Sequence, residues 1–150
     1  MRIADYLSPS VVKLHLRSRI KDDLFCELIE VLAQAGKLTD RKTALLALQA
    51  REAKMSTGVN RGLAIPHASL AGTSGLLIAL GISDAGLDYQ SPDGQPVHVV
   101  FLVLSQAGNP VTNIQALAEI CRLFSLPGLR DRVLQAKTAQ EVLDLILREE

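Results

Sequence analysis

The segment Val97-His98-Val99-Val100-Phe101-Leu102-Val103-Leu104 constrains the fold more than any other. Seven of its eight residues are apolar and no polar residue alternates with them, so a strand built from it has to be covered on both faces. The remaining chain offers the covering layers. From Lys21 to Ala35 the residues Leu24, Leu28, Val31, Leu32 and Ala35 repeat at the helical period, and Gly36 follows as a stop. A second helix is expected to open at Thr39 or Asp40 and to run through Leu45 and Leu48 to about Ala53, with Arg51 and Glu52 in its last turn.

Behind the apolar strand, Asn109 can cap and Pro110 can take the first position of a helix whose inward face carries Leu117, Ile120, Cys121 and Phe124. Asn113 falls on that face, four residues before Leu117 and seven before Ile120. A helix over 129–136 follows the Leu126-Pro127-Gly128 break, and Thr138 with Glu141 forms a capping box for a last helix carrying Val142, Leu145 and Ile146. Shorter apolar runs at Leu63–Ile65 and Leu76–Ile82 supply further strands, and Ser91–Pro96 reads as a tight turn centred on Asp93-Gly94. Helices, then strands, then helices give an α/β class: a single domain over residues 1–150, with a mixed sheet flanked by helices on both faces.

Sixteen basic and sixteen acidic residues cancel, and neither sign forms a run, so no electrostatic footprint points to a nucleic acid or an anionic membrane. No stretch approaches the roughly 18 consecutive apolar residues of a membrane span, and the N-terminus lacks the apolar core of a secretion signal. Cys26 and Cys121 lie in apolar helical patterns and read as buried, reduced thiols, which points to a cytoplasmic location. Three histidines without paired metal-ligand spacing predict no metal site.

Chemistry concentrates in Ser56-Thr57-Gly58-Val59-Asn60-Arg61-Gly62-Leu63-Ala64-Ile65-Pro66-His67. A residue before proline is pushed to extended geometry, so Ile65 should end a strand and His67 should sit just past that end. A neutral imidazole offers one lone pair as nucleophile while its other nitrogen donates a hydrogen bond. Gly58 and Gly62 can bring backbone N–H groups close to an anion, and Ser56 or Thr57 can add a hydroxyl. Arg51 offers a planar fork that matches a phosphoryl group, although a cation in a last helical turn also serves simply to complement the helix dipole. His98 reads as a hydrogen-bonded strand residue, and His15 has no partner in sequence.

Arg51-Glu52 followed by the stretch from Ser56 to Ala68 resembles the signature of the mannitol, fructose and nitrogen-regulatory IIA family of bacterial phosphotransferase systems (type 2 EIIA). Two further stretches agree with it: LDYQSPDGQPVHVVFLVLS, and NIQALAEICRLF at the start of the helix after the apolar strand. The resemblance implies a phosphoryl carrier in which His67 accepts phosphate from a histidine phosphocarrier protein and passes it to a downstream IIB-type component. No cofactor is implied beyond the covalent phosphohistidine. It places Arg51 in the active site, with Ser56, Thr57, Gly58 and Gly62 around the phosphate. The family's second histidine, which faces the first across the site, corresponds here to Asn113, which can hydrogen-bond but cannot carry a proton charge. The same resemblance admits a nitrogen-type regulator whose phosphorylation state controls a partner protein. A small-molecule binder that never meets phosphate is the third reading.

Overall fold

The computed structural model describes all residues from Met1 to Glu150. After two short 3-10 turns, Ile3–Tyr6 and Pro9–Val11, the elements are β1 (Val12–Lys13), α1 (Lys21–Gln34), α2 (Arg41–Lys54), β2 (Leu63–Ala64), β3 (His67–Leu70), β4 (Leu77–Leu87), β5 (Val97–Gln106), α3 (Pro110–Phe124), α4 (Leu129–Gln135) and α5 (Ala139–Glu149). β5 lies at the centre of a mixed sheet: β4 runs antiparallel to it on one side, while β2 and β3 both run parallel to it on the other. β1 closes the far edge, parallel to β4.

The apolar run of β5 is buried on both faces, as its composition demands. Val99, Phe101 and Val103 pack with Ile120, Leu129 and Val142 from α3, α4 and α5. Val100, Leu102 and Leu104 pack on the other side with Leu24, Leu28 and Leu48 from α1 and α2. Alternation along one strand thus divides the interior into two cores, one under each helical layer.

Local signals account for the element ends. The Asp40 carboxylate accepts from the backbone N–H of Thr43 at the start of α2, and Thr138 accepts from that of Glu141 at the start of α5. The Glu141 carboxylate reaches one residue further back than a capping box requires, to the N–H of Lys137. Asn109 is the N-cap of α3 without a side-chain capping bond, and Pro110 sits in the first turn.

Several expectations need correction. In α1, Phe25 and Ile29 belong to the buried face and Val31 and Ala35 lie at its margin, because the helix packs against α2 as well as the sheet. Cys26 and Cys121 are exposed free thiols, not buried ones, each one position past a core residue, Phe25 or Ile120. β4 continues to Leu87, through an irregularity in its pairing with β5 between Ile82 and Leu87. β2 ends at Ala64, one residue before Ile65, and His67, three residues past that end, also opens β3. Pro66 has no N–H, yet its carbonyl accepts from Val103 at 2.9 Å, so contact with β5 passes through the proline and pairing resumes at His67.

Candidate active site

β3 is an edge strand, and its first residue meets the C-terminal turn of α2 and the first turns of α3. A cleft of about 370 Å³ opens there, lined by Ala47, Ala50, Arg51 and Lys54 of α2, by His67, Ala68 and Ser69 of β3, and by Asn113 of α3. Two cations border it and no carboxylate does.

His67 is half-buried, and its Nδ1 lies 2.8 Å from the carbonyl oxygen of Ile65. A carbonyl can only accept, so Nδ1 carries the proton in this bond and Nε2 keeps the lone pair. Burial, and then the nearby Arg51 charge, push the imidazole pKa below its ordinary 6.5, outweighing the Ile65 bond and Glu52, which act upward. These effects favour the neutral ring, with the lone pair on Nε2. Arg51 donates through Nη1 to the carbonyl of Met55 at 2.9 Å, which ties the guanidinium to the end of its own helix. The Oδ1 of Asn113 is buried without a hydrogen-bond partner, and the side chain makes no bond to His67.

The structure thus brings together Arg51, His67 and Asn113, three residues the sequence singled out. None of the other four lines the cleft. Thr57 is buried, and its N–H and hydroxyl both donate to the Glu52 carboxylate, at 2.9 and 2.5 Å. That carboxylate also pairs with Lys21 at 3.0 Å, and the Tyr89 hydroxyl lies 2.7 Å from that of Thr57. This largely buried network leaves Thr57 nothing to offer a ligand, and burial raises the Tyr89 phenol pKa still further above its usual value. Ser56 accepts from the N–H of Gly58, so that donor is spent as well. Gly58 is small for a packing reason: a Cβ there would fall 2.4 Å from the Ser91 hydroxyl. Gly62, at φ +76°, turns the chain into β2, and its carbonyl accepts from His98 and Val99. It lies five extended residues before His67, roughly 16 Å along the strand.

Lys54 and Ser69 are cleft residues that sequence reasoning missed. Both follow from periodicity: Lys54 is three residues after Arg51 on a helix, and Ser69 two after His67 on a strand. The other histidines stand apart. His98 donates from Nδ1 to the Ser83 carbonyl at 2.8 Å, as expected of a strand histidine, and His15 is exposed beside Asp84.

Comparison with known proteins gives this geometry its context. The family model described as "Phosphoenolpyruvate-dependent sugar phosphotransferase system, EIIA 2" matches residues 5–149. The chain belongs to that family. This EIIA chain is 37% identical over 146 residues to the fructose-specific EIIABC component of Bacillus subtilis (strain 168), covering 97% of the chain but only 23% of that longer protein. It is 30% identical over 146 residues to a nitrogen regulatory protein of Bradyrhizobium diazoefficiens, covering 97% of the chain and 95% of that protein. The nitrogen regulatory protein IIA-Ntr of Neisseria meningitidis has a similar structure, with a TM-score of 0.88 and 26% identity over 96% of this chain and 98% of that one. EIIA relatives of the chain thus include both sugar-specific and nitrogen-regulatory proteins. No helix of this chain is long and apolar enough to cross a membrane.

Proposed function

We propose that the protein is a phosphoryl carrier that accepts phosphate on Nε2 of His67 from a histidine phosphocarrier protein and passes it to a downstream IIB-type component. The observation that carries this reading is the commitment of the Nδ1–H to Ile65, which leaves Nε2 unprotonated on a residue lining a cleft whose only charged groups are the cations Arg51 and Lys54. In the transfer, the Nε2 lone pair attacks phosphorus, the donor's phosphorus–nitrogen bond breaks, and its electron pair returns to the donor ring. One P–N bond replaces another, and the barrier is lowered by position and by donors aimed at the phosphoryl oxygens. In this reading Arg51 is the principal donor, and Asn113, which lines the same cleft, contributes an amide N–H.

The surroundings suit protein partners rather than a small substrate. Met55 beyond the end of α2, Leu46 on α2, and Val111 and Ile114 beside Asn113 expose large apolar side chains, an arrangement typical of a docking surface around a buried anchor. Free surface thiols at Cys26 and Cys121 fit a reducing, cytoplasmic setting. The match to nearly the whole length of a nitrogen regulatory protein favours a second reading, in which the phosphorylated and unphosphorylated forms control a partner without sugar transport.

Incubation with phosphoenolpyruvate, the general phosphotransferase enzyme and the histidine carrier should add one acid-labile phosphate to the chain and none to His67→Ala. Full labelling of that variant would remove His67 from the role.

A further inference from the structure

We propose that the ammonium of Lys54 is a second cation that contacts the phosphoryl group on His67, making Lys54 a catalytic residue alongside Arg51. The inference rests on His67 being the acceptor. A phosphoryl group brings about −1.5 to −2 charges into a half-buried cleft, where uncompensated charge is costly. His67 receives it as a neutral ring. Asn113 contributes no charge, and Arg51 already spends one donor on Met55. Of the other residues lining the cleft, only Lys54 carries a positive charge.

Its placement suits the task. Lys54 lies three residues after Arg51 in the last turn of α2, so the two cations rise from one helix face. Lys13 and Lys21 are bound to Glu27 and Glu52, whereas Lys54 forms no ion pair and is exposed, with its four-carbon stem free to swing. An exposed ammonium on a flexible stem can reach phosphoryl oxygens on the neighbouring His67 without breaking an existing ion pair. The competing role is complementing the negative end of the α2 dipole, which would affect stability and leave transfer unchanged.

Two donors separate contact with phosphate from contact with a partner: the phosphorylated histidine carrier, and phosphoramidate, whose P–N bond breaks as Nε2 attacks while ammonia leaves with a proton from water. With the intact chain, Lys54→Gln should slow His67 phosphorylation from both donors by about tenfold, the size of one charge-assisted contact. Lys54→Arg should restore most of the rate, and the melting temperature of Lys54→Gln should stay that of the parent. An unchanged rate with both donors overturns the proposal, and so does a loss confined to the protein donor, which would make Lys54 a docking residue. If neither donor labels the parent chain, the carrier reading fails. Lys54 is then judged by titrating inorganic phosphate against the His67 ring resonances: weaker binding by Lys54→Gln keeps it as an anion contact, and equal binding overturns it.

Discussion

His67 illustrates how one backbone contact can select a reactive atom. The Ile65 carbonyl fixes the proton on Nδ1, while burial and Arg51 disfavour a second proton on Nε2. A protonated Nε2 has no lone pair, so competence to accept phosphate follows the neutral fraction of the ring. Because the folded pKa lies below 6.5, the neutral form predominates at pH 7, and its fraction falls as the pH drops through that lowered pKa. An NMR titration of the His67 ring should give a midpoint under 6.5, and a midpoint above it would contradict the assigned environment. Asn113 adds no titration in this range, whereas Asn113→His should introduce a second inflection at the cleft. The sequence singled out both residues, His67 by the proline before it and Asn113 by its helical spacing, but not the start of β3 at His67 or the Ile65 carbonyl that holds its ring. What was not legible is which neighbours are free to bind. Thr57 and Gly58 looked like phosphate donors, but their donors are taken by Glu52 and Ser56, partners that only the folded loop reveals.

At the scale of elements, the connection from α2 to β2 is held down by Glu52, whose carboxylate accepts from the N–H and hydroxyl of Thr57 and pairs with Lys21 of α1. Lys21 also lies 4.7 Å from the centre of the Tyr89 ring, so the same group of residues joins α1, α2, the loop and the segment after β4. Glu52→Gln would leave the Lys21 ammonium without its countercharge in a largely buried setting. A loss of about 2 kcal/mol or more in unfolding free energy is expected, read by denaturant midpoint, and an unchanged midpoint would mean the pair is spent against its own desolvation. Helix positions were readable because their stops and caps are local: Gly36, Asp40, Pro110 and Thr138 act within a few residues. The strand that begins at His67 was not. Its pairing depends on β5, more than thirty residues later, and on the Pro66 carbonyl keeping the ladder in register.

For the whole molecule, the continuous apolar run of β5 dictates two cores, and the two cores dictate where a site can form. Helices cover both faces of the sheet, leaving the edge beside β3, where the end of α2 and the start of α3 converge, as the place where polar groups from the two helical layers and the sheet meet. The fold class was therefore legible from one strand and its flanking helices. The meeting of Arg51, Lys54, His67 and Asn113 was only half legible, because it depends on packing between layers. The central claim is that this meeting makes Nε2 of His67 the phosphoryl acceptor. Its most direct test is NMR of the chain phosphorylated through the histidine carrier, with labelled imidazole nitrogens. The account predicts a single phosphohistidine, at His67, with phosphorus coupled to Nε2 and Nδ1 still protonated; phosphate on Nδ1, or on any other residue, would contradict it.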